Sequence, residues 1–418
     1  MQSDPTQALS GLRVIEFTAG MAGPWIGRFM AHCGAEVIKV ESTKRPDVTR
    51  LFIPPRDPDG RVHPQASPWF TDWNAGKRFI SLDLTNPHAP QLAKQLVSQA
   101  DIVIENYATG VMEKLGLDTE SLRQAKPDLI QFRTNGYGHS GPDRHHIAWG
   151  PNIEATSGLA HLSGFPDRTC TMTQYAYPDP ASALHGLFVI LCALEHRRNT
   201  GEGQVISLAQ VETTMSCFGN TLMEQLANGH PPAKLGNQSL WDSPQSCYPC
   251  LGEDRWCAIT IANQEQWNRL CELIGQSDWA HDPRFENASE RRHHSDLIDA
   301  AITAWTASRD VFEVMKTLQA AEIAAGVVQT TEDQFKRDPH LAERNYFEEI
   351  PHKTKGTVTA TGIPLGLTST PGRTTNSGAA VGRDNAYVFK EIVGLSEEEF
   401  LRLEQAGAIE SPEPETTV

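Results

Sequence analysis

The sequence predicts an α/β chain: a large domain on a parallel, Rossmann-like sheet, followed by a smaller α+β unit. Three observations predict it. The chain opens with a βαβ pattern over residues 12–41, that pattern repeats as far as residue 134, and the texture changes near residue 247.

The opening strand is "LRVIEF" (12–17), the helix "GPWIGRFMAHCGA" (23–35) and the second strand "EVIKVE" (36–41). "RFISLDL" (78–84), the helical "HAPQLAKQLVSQA" (88–100) and "DIVIEN" (101–106) repeat the theme. A helix over 119–126 and a strand over 128–134 extend it. The strands end at Phe17, Glu41, Leu84, Asn106 and Thr134, and in such sheets ligands bind outside the carboxyl ends of the strands. Residues 1–228 thus form the first part of the large domain, and the turn-rich 229–246 reads as a linker or mobile loop. The small unit spans 247–330: a hairpin turning at "GED", then helices in "QEQWNRLCELIG", "SDLIDAAITAWTA" and "RDVFEVMKTLQAAE". Residues 411–418 are acidic and read as a disordered tail.

One helix is unusual. In "YPDPASALHGLFVILCALEHRRNTGEGQ" (177–204), Asp179-Pro180 has the form of an N-cap followed by proline at the first helical position. Leu184, Leu187, Phe188, Leu191 and Leu194 follow at helical spacing, with few polar positions before Glu195, so the helix is expected to be buried on most sides. Arg197 and Arg198 suit its C-terminus, and Gly201 stops it.

Lys plus Arg total 36 against 52 Asp plus Glu, a net charge of −16, which argues against a nucleic-acid or anionic-membrane surface. The N-terminus lacks a signal-peptide pattern, and the longest apolar run, "LFVILCAL", is too short to span a bilayer. A cytoplasmic protein is expected. Eight cysteines in 418 residues do not make a disulfide framework. Cys247 and Cys250 form a CxxC with Cys257 following, but a zinc site needs a further ligand pair, and a redox motif belongs at a helix start.

"GYGHSG" (136–141) matches GxGxxG after a strand, but Pro142 follows where a helix should open, so a dinucleotide loop is not indicated. No P-loop, GxSxG or HExxH occurs; "RHH" (144–146) and "RRHH" (291–294) read as solvated charge, and no metal is expected. With serine and metal routes to acyl chemistry missing, a carboxylate nucleophile is the economical candidate.

"LSGLRVIEFTAGMAGP", "GAEVIKVE", "NAGKRFISLDL", "ADIVIENYATGVMEKLGL", "NGYGHSGP", "ALEHRRNTGEGQVISLAQ", "DPRF" and "VGRDNAYVFKEIVGLSEEEF" occur in this order from residue 9 to about residue 410. In these segments the chain resembles the family III CoA-transferases (CaiB/BaiF family), which include formyl-CoA transferase. The resemblance implies a large domain made from both chain ends, with residues 331–410 returning to it, and an interlocked dimer. A homodimer is expected, with a heteromer of paralogous chains as the alternative. It also implies acyl-CoA and small carboxylic acids as substrates, with coenzyme A entering as a thioester and no permanently bound cofactor.

The family's catalytic aspartate begins the helix that leads into the TGxGQ turn, and Asp179 stands in that place, 21 residues ahead of Thr200. The dipole at a helix N-terminus is expected to favour its ionised form. By position, Met21 and Ala22 correspond to the turn meeting the pantetheine, Leu82 to an adenine-site residue, Asn106 and Tyr107 to the strand-end pair, and Lys114 to a basic phosphate contact. Ser42 and Thr85 stand where formyl-CoA transferase has basic residues, with Lys44 or Arg45 as candidates to compensate. The loop around Gly236 is expected to act as a lid that excludes water. The related α-methylacyl-CoA racemases need a histidine where this chain has Trp149, and tryptophan cannot transfer the proton. A non-catalytic CoA-binding partner subunit is the other rival. "GPNIEATSGL" and "YPDP" resemble the branch acting on dicarboxylic or hydroxylated acids, often with succinyl-CoA as donor.

Overall fold

The computed structural model describes residues 7–56, 58–60, 62–229, 232–352 and 356–411, and its chain separates into two units. The first comprises Met1–Ala160, Met172–Gly229 and His340–Val418; the second comprises His161–Thr171 and His230–Pro339. The expected tail lies, beyond residue 411, outside the described residues.

The first unit runs β1 (Arg13–Phe17), α1 (Ala22–His32), β2 (Glu36–Glu41), β3 (Arg78–Ser81), α2 (Ala89–Ser98), β4 (Ile102–Glu105), α3 (Thr119–Ala125) and β5 (Ile130–Asn135). It continues with α4 (Gly150–Ser157), α5 (Pro178–Thr200), β6 (Val205–Ala209), α6 (Gln210–Ser216) and α7 (Gly219–Asn228). The six strands form one sheet in the order β3-β2-β1-β4-β5-β6, every neighbouring pair parallel. This is the doubly wound order, and its direction reverses between β1 and β4. Ile15 pairs with both Ile38 and Val103, which fixes the register on either side of that point.

Both faces of the first five strands are covered, so Val, Ile and Phe recur in them on either side. Ile15, Phe17, Ile38 and Val103 pack with Leu92 and Leu96 of α2 and with Val388, Phe389, Phe400 and Leu403 from the chain's end. On the opposite face Val14, Val37, Ile104 and Phe132 pack with Ile26 and Met30 of α1 and with Ala183 and Ile190 of α5. The C-terminal segment also closes the sheet edge at β3: Phe79 N–H donates to Asp384 (2.7 Å) and Ser81 N–H to Asn385 (2.8 Å).

Helix α5 corrects two expectations. It starts at Pro178, not Pro180, with Tyr177 at the cap, and Asp179 lies inside the first turn without making a capping bond. Proline is tolerated there because first-turn N–H groups have no intrahelical partner. Nor is the helix buried on most sides: Leu184, Phe188 and Leu191 are 51%, 66% and 41% exposed. The inward stripe is instead Ser182, Ala183, Gly186, Ile190 and Ala193. A Cβ at Gly186 would lie 2.7 Å from Phe132 and 2.8 Å from Ile26, so close approach to the sheet demands small residues inward and leaves the large ones outside.

In the second unit the hairpin β7 (Gln245–Pro249) and β8 (Trp256–Thr260) pairs on with β9 (Ala324–Val327), all antiparallel. Helices α8 (Gln264–Leu273), α9 (Ser295–Thr306) and α10 (Val311–Ala320) cover the core around Trp267, Phe285, Ile298 and Val314. The helix Thr331–Lys336 lies within this unit, tied to it by Arg255–Asp333 at 2.7 Å. Cys247, Cys250 and Cys257 are free thiols on the hairpin, and burial raises all three pKa values. Among the described residues no group of three or more His, Cys, Asp or Glu is placed to hold a metal.

Candidate active site

The site grows from the reversal point of the sheet. Beyond β1, the loop 18–21 is held by a buried ionic cluster. Lys77 pairs with Glu16 at 2.8 Å, both fully buried; Lys39 pairs with Asp47 at 2.9 Å, and Arg50 with Glu41 at 2.5 Å. Three acids meet three bases, so the cluster is formally neutral. Its hydrogen bonds reach the loop backbone directly. Lys39 donates to Thr18 O (2.8 Å), Gly20 N–H donates to Asp47 (3.1 Å), and Lys77 donates to Pro24 O (2.7 Å) in the first turn of α1. From β4, Asn106 grips Ala19 twice: its Oδ1 accepts from the N–H (2.9 Å) and its Nδ2 donates to the carbonyl (2.7 Å). Gly27 is required here, since a Cβ would lie 1.7 Å from Glu16 Oε1.

This loop delivers the first residue of α1, Ala22, whose N–H donates to Asp179. Three further helix starts reach the same carboxyl. Asp179 is in the first turn of α5; Gln210, first residue of α6, donates from Nε2 to Asp179 Oδ1 at 3.5 Å. Gly150, first residue of α4, faces the other oxygen, with the position of a missing Cβ 3.0 Å from Oδ2. Just ahead of Asp179, Gln174 and Ala176 hold left-handed backbone (φ 63° and 48°), a strained conformation for residues other than glycine.

Asp179 keeps a partly accessible surface in this recess, yet burial raises its pKa to about 6, against hydrogen bonds from Gln210 and Ala22 that pull it down. The direction overturns the expectation built on the helix dipole. Loss of water around the carboxylate outweighs the first-turn N–H groups. At neutral pH the group remains ionised, and it is more basic than an ordinary aspartate.

The other expected site residues fall as follows. Met21 and Ala22 are buried at the start of α1, and Asn106 is committed to Ala19. The Leu82 side chain lies in the hydrophobic core, and its N–H is bonded to Glu41 O at 2.8 Å. Tyr107 packs beside that same core, its hydroxyl pKa raised by burial. Lys114 ends the short helix Val111–Lys114, exposed, and no ion pair among the described residues claims it. Of the two candidates to compensate for Ser42 and Thr85, Lys44 is paired with Asp83 at 2.5 Å, while Arg45 is exposed and its side chain has no partner among the described residues. Trp149 sits next to Gly150 at the cap of α4, 57% exposed, and its indole is neither an acid nor a base near neutral pH. Gly236, at the expected lid, belongs to the second unit and packs against Phe165.

Sequence reasoning missed Gln210, Gly150 and the buried ions. A Lys or Glu on a strand reads as a solvent-facing position, and nothing local marks Gln210 or Gly150 as neighbours of residue 179. The available signal was the run of charges inside otherwise apolar strands, at Glu16, Lys39 and Glu41.

Comparison with known proteins agrees with this architecture. A crystal structure of a CaiB/BaiF family protein from Brucella suis superposes with a TM-score of 0.83 at 29% identity, covering 94% of this chain and all (100%) of that one. A succinyl-CoA–D-citramalate CoA-transferase of Chloroflexus aurantiacus is 30% identical over 400 residues, 96% of this chain and 98% of that protein. A succinate–glutarate CoA-transferase of Agrobacterium fabrum is 30% identical over 384 residues, 92% and 95% of the two chains. The chain is thus a transferase that moves coenzyme A. It belongs to CoA-transferase family III, whose sequence model matches residues 9–385.

Proposed function

We propose that this enzyme moves CoA from an acyl-CoA, with succinyl-CoA as the preferred donor, to a dicarboxylic or hydroxylated acid through covalent intermediates on Asp179. The observation that carries the mechanism is the recessed Asp179 carboxyl, served by the starts of four helices, with Gly150 and the small Ala176 packed on its Oδ2 side. The names of the two relatives support the substrate class: succinate and glutarate are diacids, and citramalate is a hydroxylated diacid.

Asp179 attacks the thioester carbonyl, an anhydride forms, and CoA leaves as thiolate. The thiolate then attacks the aspartyl carbonyl, giving an aspartyl-CoA thioester and releasing the first acid. The acceptor carboxylate displaces that thiolate to make a second anhydride, and the thiolate attacks the acceptor's carbonyl. Thioester or anhydride energy is kept throughout, so no ATP and no resident cofactor is needed. Water must be kept out, which the recess favours. Racemisation is the weaker reading because exposed Trp149 offers no base.

We place CoA along the ends of β1 and β4, with Met21, Ala22, Asn106, Tyr107 and Leu82 near it and Lys114 or Arg45 toward its phosphates. The exposed stripe Leu184, Phe188 and Leu191 supports a homodimer, because a water-facing apolar helix face of this size needs a cover. A monomer by sedimentation at micromolar concentration would contradict that. Eight free cysteines suit the reducing cytoplasm, and among the described residues no helix is long and apolar enough to cross a membrane.

The test is a panel of acetyl-, succinyl- and aryl-CoA donors against mono- and dicarboxylic acceptors. Succinyl-CoA with a diacid is expected to give the highest kcat/KM; no transfer to any diacid removes the substrate assignment. In the same assay Lys114→Glu is expected to raise the KM for the CoA ester about tenfold, the equivalent of about 1.4 kcal/mol, and an unchanged KM removes Lys114 from the site.

A further inference from the structure

The mechanism leaves two features without a role: the "GYGHSG" segment and the Gln210 side chain. They are connected. Gly136 O accepts from Val211 N–H at 3.0 Å, and a Cβ at Gly136 would lie 2.7 Å from Ala148 Cβ and 2.9 Å from Ile153 Cδ1. At Gly138 a Cβ would come within 3.2 Å of Ala209 Cβ, and the backbone there is left-handed, at φ 81°. At Gly136 and Gly138 the segment is a spacer without side chains, and it lets the starts of α4 and α6 approach Asp179 together. Gln210 is placed by it: the residue is 7% exposed, and its carbonyl accepts from Thr214 Oγ1 at 2.8 Å. Its amide is the one side-chain donor to Asp179 among the described residues, and it touches Oδ1, not Oδ2.

We propose that Gln210 assigns the two oxygens of Asp179 different tasks: it holds Oδ1 as the oxygen that takes up negative charge, and it leaves Oδ2, facing Gly150, as the attacking and bridging oxygen. The inference rests on the covalent reading above. In the first step Oδ2 bonds to the acyl carbon, the C–S bond breaks, and the electron pair leaves on CoA sulfur. In the second, sulfur bonds to Asp179 Cγ and the C=Oδ1 π pair moves onto Oδ1. That oxyanion needs a donor, and Gln210 Nε2, the group placed on Oδ1, supplies it. Collapse restores C=Oδ1, breaks Cγ–Oδ2 and releases the first acid carrying Oδ2. The 3.5 Å separation suits a donor that tightens only when charge develops.

Charged groups on the surrounding helices are committed or turned outward. Arg28 binds Asp72, His32 binds Thr374, Glu154 binds Thr173, Arg197 binds Asp101, and Glu212 is exposed. The exposed His185 hydrogen-bonds Ala181 O in its own helix. A pH profile therefore reads Asp179 and its direct donors.

The experiment is Gln210→Leu, with Gln210→Glu as a size-matched second variant should the first not fold. For Gln210→Leu, kcat is expected to fall about 100-fold with the KM for acyl-CoA within about threefold. The acid limb of kcat/KM, expected near 6 in the wild type, should move to higher pH because a hydrogen bond to the ionised form is lost. Gln210→Glu should move the same limb upward by placing a second carboxylate beside the first. An unmoved limb, or a lower melting temperature accompanied by wild-type kcat per folded molecule, overturns the proposal and makes Gln210 a packing residue. Covalent labelling separates the two levels. If wild-type Asp179 carries an adduct while Gln210→Leu leaves rate and pH limb unchanged, this inference falls and the nucleophile stands. If no adduct forms in the wild type, the nucleophile itself falls.

Discussion

Asp179→Asn is expected to transfer CoA at least about 10⁴-fold more slowly than the wild type, while folding as well or better. The rate loss follows because an amide can neither attack a thioester nor accept CoA, and removing the nucleophile of a covalent mechanism costs losses of this order. The stability gain comes from linkage. Burial raises the folded-state pKa of Asp179 from 3.8 to about 6. The stabilising contribution of the protonated carboxyl is complete below the unfolded value and is lost as pH rises through the folded one. At pH 7.5 the folded protein therefore carries the cost of a partly desolvated carboxylate, about 1–3 kcal/mol. The neutral variant removes that cost, so its melting temperature should rise at pH 7.5, and the advantage should vanish near pH 4. A structural cap would behave in the opposite way, losing stability on substitution. Wild-type activity in the variant, or a melting temperature lowered at pH 7.5, contradicts the assignment.

The largest expected effect on stability lies beneath the site. Lys77 and Glu16 are both fully buried and 2.8 Å apart. Lys77 also donates to Asn74 Oδ1 at 3.0 Å and to Pro24 O at 2.7 Å. Lys77→Met strands the fully buried Glu16 carboxylate without its direct partner and should cost about 3–5 kcal/mol, lowering the melting temperature by about 10 °C. It also frees the first turn of α1, which positions Ala22 against Asp179, so activity should fall in the molecules that remain folded. The double variant Glu16→Leu with Lys77→Met should recover much of the stability, because a buried pair contributes little net energy beyond satisfying its own desolvation. A single substitution with unchanged melting would show that the pair is solvated and that the loop is held by other contacts.

The sheet was readable from sequence because strands covered on both faces appear as short, mostly apolar runs, as in "VIEF" and "IVIE". Helix α5 was readable as a helix but not in its facing. Leu and Phe on one side and Ser, Ala and Gly on the other do not say which side meets the sheet, until Phe132 and Ile26 are found against Gly186. Asp179 was singled out through resemblance and position, whereas its ionisation was misjudged: its burial is set by residues far along the chain, Gly150 among them. Gln210 and the Glu16–Lys77 pair were missed for the same reason, since no spacing rule links positions 31 or 61 residues apart.

The most direct measurement is to incubate the enzyme with succinyl-CoA alone, quench with hydroxylamine or borohydride, and map the peptides by mass. Modification confined to the peptide carrying Asp179, absent from Asp179→Asn, is the predicted result. Continued CoA transfer with every aspartate unmodified, or with the label on a different residue, would contradict the account.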